Sequence, residues 1–235
     1  MKIALINVAS TSKMINGRGP IFNDGSFIYI PIEEKIGVPE RFPKYSRVIP
    51  SLYHDYLKNK EARVHNDPHF ISFTYGHAIR GHGYEEILRQ LEKDDILCFY
   101  GSFEFRNTGG RVKSWINRSW GSYIFGAYKI ERVYPHKEFL NAPINIKRIF
   151  KQNPHYLRNP PKADYWILGQ INCFGLFNIS YPMSEKDDNT REGDLLEFFD
   201  VIDNRDRLVS YYRTAYICEE ESRKVWSEIE KHSFV

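Results

Sequence analysis

The segment Ile96–Phe103, ILCFYGSF, constrains the fold more than any other stretch of the chain. It is a run of apolar and aromatic residues with little helical spacing, and such a run reads as a strand buried on both faces. Asp94 and Asp95 ahead of it can close a turn. Tyr123–Val133 reads as a second strand with Gly126 in its middle, where glycine marks a bulge or the close approach of another backbone. Two core strands of this kind need cover on both sides. The rest of the chain supplies it as short strands with a few helices, which predicts an α+β class.

The other elements follow from local patterns. Lys2–Ala9 and Phe27–Ile32 read as strands, the second on an edge or ending at Pro31. Asn23-Asp24-Gly25 is a turn signal. Ser51–Leu57 predicts a short helix, and Tyr84–Lys93 an amphipathic one through Tyr84, Ile87, Leu88 and Leu91. After Val133, a helix is expected around Ile146–Gln152. A surface excursion rich in proline follows, then two strands beginning at Trp166–Leu168 and Cys173–Ser180. Asp194–Ile202 and Glu219–Lys231 predict two closing helices. Residues 1–235 read as one domain, with irregular insertions near 35–63 and 134–164. No internal repeat or low-complexity tract breaks it.

Composition limits the function classes. With 42% hydrophobic residues, the 235-residue chain has enough apolar content for a packed core. Its net charge is +3 and its pI is about 8.6, short of the pI above about 9 of frankly nucleic-acid-binding domains, so any basic footprint is local. Cys98, Cys173 and Cys218 form no CxxC pair, which argues against a zinc ribbon or a disulfide framework and for buried free thiols. The N-terminal apolar run is too short for a membrane span, and no cleavage site follows it. A cytoplasmic protein without a membrane partner is therefore expected.

Two sets of residues carry the functional signal. The loop between the core strands, FRNTGGRVKSWINRSWG, holds Arg106, Arg111, Lys113 and Arg118 and no acid, interleaved with Trp115 and Trp120. Such a loop suits a polyanion: the cations neutralise phosphates, while Trp115, Trp120 or Tyr100 stacks on a base. Asn107, Asn117 or Ser102 is placed to read the edge of an extruded base. The alternative is that both indoles cover the sheet and the cations are solvated. The second set begins with the histidines of VHNDPHFISFTYGHAIRGHG, namely His65, His69, His77 and His82, with Asp67 before Pro68. A structured turn with solvated histidines competes there with a functional cluster.

A resemblance adds to both readings. LRQLEKDDILCFYGSF followed by YIFGAYKIERV resembles the core of the PUA-like superfamily, including its EVE and YTH branches. More of the chain resembles the third type of nucleotide modification associated domain. DGSFIYIPIEE supplies Asp24, Gly25, Pro31 and Ile32, and HNDPHF supplies His65, Asp67 and Pro68. DDILCFYGSF supplies Asp95, Phe99, Gly101 and Phe103, and NPHYLRN supplies His155. His77 departs from the pattern, since glutamine or aspartate is expected there. The first resemblance implies a curled or barrel-shaped PUA-like mixed sheet with peripheral helices, and recognition of a modified base. The second implies a role in DNA or nucleotide base modification.

Recognition of a modified base is the favoured expectation, with DNA or RNA carrying that base, or a free nucleotide, as the partner. The enzyme alternative rests on Asp24, His65, Asp67 and His155: a carboxylate orients a histidine that works as general acid or base. Carboxylates and a histidine from this set are also a donor set for a divalent metal. A protein-interaction module using the aromatic surface is the third reading.

Overall fold

The computed structural model describes residues 1–9, 13–35, 40–78, 88–183, 199–200, 215–217 and 219–234. The anchoring run is the centre of the molecule. It forms strand β6 (Ile96–Phe105), and its first eight residues are all buried. Ile96, Cys98 and Tyr100 pack into one apolar cluster, together with Val225, Trp226 and Ile229 of the C-terminal helix. Leu97, Phe99 and Phe103 pack into the other, with Phe125, Tyr128 and Ile130. The side-chain alternation of a strand, with apolar residues at every position, thus demands two cores, and the sheet lies between them.

Strand β7 (Trp120–Pro135) pairs antiparallel with β6, and β1 (Ile3–Asn7) pairs parallel along the other edge. Farther along that edge, β2 (Gly19–Ile21) continues the pairing at Phe103–Phe105. Asp95 fixes the start of β6. Its carboxylate accepts from the backbone N–H of Lys2 at 2.7 Å and from that of Glu92 at 2.9 Å, which locks the β1 register. The expected irregularity at Gly126 is present. The β6–β7 register shifts so that Phe99 faces Gly126 and Tyr100 faces Ile124. A Cβ on Gly126 would lie 2.7 Å from ring carbons of Phe70 and 2.8 Å from the Gly175 carbonyl.

Counting β3 (Ile32–Glu33), β4 (Val64–His65) and β5 (Thr74–His77) before the core pair, the long strand β8 (Tyr165–Pro182) follows β7. The two strands predicted after Trp166 are one, deformed at Asn172, Phe174 and Gly175, which adopt positive φ. The main sheet runs β5-β8-β7-β6-β1-β10-β9, where β9 is Phe199–Asp200 and β10 is Ala215–Ile217. Among the described residues its end strands do not pair with each other, so the α+β class holds and a closed PUA-like barrel is not confirmed. β3 and β4 form a separate two-stranded sheet.

Several local expectations shift. Phe27–Pro31 is not a strand: apart from bridges at Phe27 and Pro31, only Ile32 of the expected strand enters a ladder. Ser51–Tyr56 is a 3₁₀ helix. The helix near Ile146 spans Ile144–Ile149 and tightens into 3₁₀ turns over Phe150–Gln152. The C-terminal helix runs Glu219–Ser233. Of the predicted helix 84–93, residues 88–90 are helical and 84–87 lie outside the described residues. Of the predicted helix 194–202, only Phe199 and Asp200 are described, and they are a strand. His82 and Cys218 also lie outside the described residues. Cys98 is buried and Cys173 part-buried, both as free thiols, and burial pushes the Cys98 thiol far up. Among the described residues, no helix is long and apolar enough to cross a membrane.

Candidate functional site

The proline-rich stretch expected at the surface instead turns inward. Asn153 caps a one-turn helix, Pro154–Leu157, by accepting the His155 backbone N–H at 3.0 Å; Pro154, at the start, needs no partner for an N–H it lacks. Asn153 is fully buried, and His155 is 6% exposed. The helix lies against β5, where Gly76 leaves the space that the His155 ring fills: a Cβ on Gly76 would stand 2.7 Å from His155 Cδ2.

His65 arrives from β4, whose pairing with β3 sets Ile32 opposite His65 and Glu33 opposite Val64. Glu34, next along the chain, then reaches His65 Nδ1, with Oε2 at 2.8 Å. Asp67 follows two residues later. Its Oδ1 accepts from Asn153 Nδ2 at 2.7 Å, and both its oxygens accept from the Gly76 backbone N–H at 3.1–3.2 Å. Three segments distant in sequence thereby meet. His65 Nε2 stands 3.2 Å from His155 Nε2, and His155 Nε2 stands 3.6 Å from Asp67 Oδ2. Among the described residues, His65, Asp67 and His155 are a set whose ligating atoms all fall within 4.8 Å of one another.

The electrostatics follow from burial. The side chains of His65 and His155 are 7% exposed and that of Asp67 is 2% exposed. Burial pushes the Asp67 carboxyl well above the carboxylate range, against the hydrogen bonds of Gly76 and Asn153 and the charge of Arg158. Burial holds His155 well below the usual histidine value, and the neighbouring charges of His65 and Arg158 lower it further. Glu34 behaves differently. Burial raises it, but the His65 contact and the Arg158 guanidinium, which donates to both its oxygens at 3.0–3.3 Å, outweigh that and bring it to about 2. Glu34 is therefore a permanent anion behind His65.

Asp24 stands apart from this group. It is exposed and accepts from Ser26 Oγ at 2.6 Å and from the Ser26 backbone N–H at 2.9 Å, closing its own turn. The Ser26 hydroxyl is also the main reason its carboxyl is lowered. Asn23 beside it is the more connected residue. Its Nδ2 donates to Asn107 Oδ1 and to the carbonyls of Gly109 and Gly110, and its Oδ1 accepts from the Thr108 N–H.

In the β6–β7 loop, Arg106, Asn107, Arg111, Lys113 and Arg118 are exposed. Arg106 pairs with Glu104 at 3.3 Å. Trp115 is part-buried, edge-on to Tyr123 and His232, and its ring lies over Gly25. The Arg18 guanidinium covers Trp120 at 4.1 Å. Tyr100, Ser102 and Asn117 are buried; Asn117 Oδ1 accepts from the Ser119 N–H. His69 is buried with Nδ1 on Ser72 Oγ at 2.6 Å, and His77 Nδ1 meets the Tyr75 hydroxyl at 2.9 Å.

Sequence reasoning missed Glu34, Gly76, Asn153 and Arg158. The signal was present in part: Asn153 and Arg158 flank His155 in NPHYLRN, and Gly76 precedes His77 in TYGH. A family model described as nucleotide modification associated domain 3 matches residues 2–234. No curated protein and no solved structure matches the chain.

Proposed function

Because the chain belongs to the nucleotide modification associated domain 3 family, we propose that it carries out chemistry on a nucleotide or nucleic-acid base, with His65, Asp67 and His155 as the reacting centre. The observation that carries this reading is the convergence of these three buried side chains, His65 and Asp67 from one segment and His155 from another 90 residues along the chain. A buried carboxylate is costly unless something compensates it, and perturbed ionisable groups gathered in one place are the arrangement that acid, base and metal-binding sites use. Held out of bulk water, the centre would act on developing charge through a low dielectric, where its interactions are strongest. His155 is the acid–base candidate. Its Nδ1 donates to the Lys162 carbonyl at 2.6 Å, which leaves Nε2 to accept a proton. Glu34 and Asn153 are positioning residues that fix the rings and the carboxylate.

The exposed cations of the β6–β7 loop support a second reading, recognition of a modified base in DNA or RNA. Arg111, Lys113 and Arg118 would neutralise phosphates, with Asn107 as a polar contact. A PUA-like relationship belongs to that reading and rests on the β6–β7 pair and its bulge. The two readings separate in one experiment. The full chain is incubated with nucleosides, nucleotides and oligonucleotides carrying modified bases, and the products are followed by mass spectrometry. The enzyme reading expects a mass change that His155→Gln abolishes. Salt-dependent binding with no mass change in any substrate overturns it in favour of recognition.

A further inference from the structure

We propose that His65 Nε2, His155 Nε2 and Asp67 Oδ2 form a binding site for one divalent first-row transition-metal ion. Each ligand is fixed from its far side. The Lys162 carbonyl can only accept, so His155 Nδ1 carries the hydrogen of that 2.6 Å bond. Glu34 is a carboxylate held by Arg158, so His65 Nδ1 donates to it. In the neutral rings both Nε2 lone pairs then face each other across 3.2 Å. Two such nitrogens need either a shared proton or a metal ion between them, because the gap is too short for a water, and a metal ion would take that proton's place.

The spacing suits a metal. With metal–nitrogen bonds of about 2.05 Å, nitrogens 3.2 Å apart subtend an angle of about 103° at the ion. With a metal–oxygen bond of about 2.1 Å, the 3.6 Å separation of His155 Nε2 and Asp67 Oδ2 subtends about 120°. The two angles bracket the tetrahedral value; the third pair, His65 and Asp67, lies within 4.8 Å, and both side chains reach one ion once that separation is about 4.1 Å or less. Each ligand is also held from behind: His65 by Glu34, His155 by Lys162, and Asp67 by Asn153 and Gly76. Carboxylate–histidine and carbonyl–histidine partners of this kind orient metal ligands and set their tautomer. Nearby, the Tyr128 hydroxyl is fully buried with no hydrogen-bond partner among the described residues, and Asp67 lies within its electrostatic reach. A buried hydroxyl left without a partner calls for an explanation, and a small polar ligand on the ion would supply one. Two imidazoles and one carboxylate without sulfur suit zinc or ferrous iron, whereas magnesium and calcium prefer all-oxygen shells.

The proposal rests on the reading of this cluster as the reacting centre and changes one role in it, since a metal-bound His155 Nε2 no longer accepts a proton; it is measured without turnover. The full chain is stripped with chelator and titrated with Zn²⁺ by calorimetry, with Mg²⁺ as the hard-ion control. Co²⁺ absorption reports the ligand geometry. One equivalent of Zn²⁺ is expected, with a tetrahedral Co²⁺ spectrum and little response to Mg²⁺. His155→Gln and Asp67→Asn should each remove stoichiometric binding. Glu34→Gln should weaken it by about 10–100-fold, as loss of a ligand's orienting partner does. Circular dichroism of each variant separates lost ligation from lost folding. If Asp67→Asn does not fold, the wild-type stoichiometry, the Co²⁺ spectrum and His155→Gln still decide. Absence of stoichiometric Zn²⁺ binding to the wild type, or folded variants that bind as well as it does, overturns the site. A protein that binds no metal yet loses turnover in His155→Gln would refute this inference and leave the proposed function standing.

Discussion

Gly76→Ala is the most direct test of how the centre is built. The backbone N–H of Gly76 donates to Asp67 whatever the side chain, so the substitution leaves that bond in place. No positive φ reserves the position for glycine. What the methyl meets is His155: 2.7 Å to Cδ2, 2.8 Å to Cγ and 2.9 Å to Cβ. Ordinary carbon contacts sit at about 3.5–4.0 Å, so the ring must retreat by roughly 1 Å. Rotation about the Cα–Cβ bond does not relieve the clash, because Cβ itself is too close. The Lys162 carbonyl on Nδ1 and the Asn153 cap oppose a shift of the backbone. Overpacking of this kind costs about 1–3 kcal/mol of stability. A 1 Å displacement of a reacting group costs on the order of 100-fold in rate. For metal affinity the expected loss is about 10–100-fold, comparable to removing an orienting partner. Urea denaturation and Zn²⁺ titration of the same preparation read both effects. A variant with wild-type Zn²⁺ affinity and unchanged stability would refute the placement of His155 against β5, and with it the ligand geometry.

Other outcomes follow from the same contacts. Asp67→Asn keeps an acceptor for Gly76 and Asn153 and replaces a carboxyl that burial already drives toward its neutral form, so in chelator its melting temperature should equal or exceed that of the wild type, while Zn²⁺ should no longer raise it. His77 is held at about 4, chiefly by burial, against an ordinary 6.5. The unfolded chain therefore binds more protons between those values; the stability is present above pH 6.5 and is lost as pH falls through 4, by up to about 3 kcal/mol, and His77→Gln should flatten that slope in pH-dependent urea titrations. If the loop meets a polyanion, Arg111→Ala with Lys113→Ala should reduce the salt slope of oligonucleotide binding by about 1 per contact removed, measured by fluorescence anisotropy. Trp115→Ala should act mainly on stability, because the ring packs over Gly25 and against Tyr123 and His232; an unchanged melting temperature would contradict that packing.

The double-sided burial of Ile96–Phe103 was legible because hydrophobicity without alternation has one physical meaning at that length. Gly126 was legible for the same kind of reason, since a core strand tolerates a missing side chain only where another group needs the room. The C-terminal helix followed from the 3.6-residue recurrence of Val225, Trp226 and Ile229. The parallel pairing of β1 with β6, far apart along the chain, was not legible, because local pattern carries no partner information. β8 read as two strands because Asn172, Phe174 and Gly175 deform it without ending it. At the centre, His65, Asp67 and His155 could be named but not joined. Glu34 is one of two adjacent acids and Asn153 precedes a proline in the stretch expected at the surface, so neither carries a local signal. Their roles depend on partners 31 and 86 residues away.

Asn23 gives the basic loop a property that its composition does not reveal. One buried amide grips the loop tip at Asn107, Thr108, Gly109 and Gly110, so the hairpin end is already shaped before any phosphate arrives. A tip glycine pair without such a clamp would sample many conformations and surrender them on association, at roughly 1–2 kcal/mol per residue ordered. Here that entropy is lost during folding instead. If the loop meets a polyanion, the arginines and the lysine would approach it from a template of fixed curvature, and discrimination by shape would be available to a surface that composition alone marks as merely sticky.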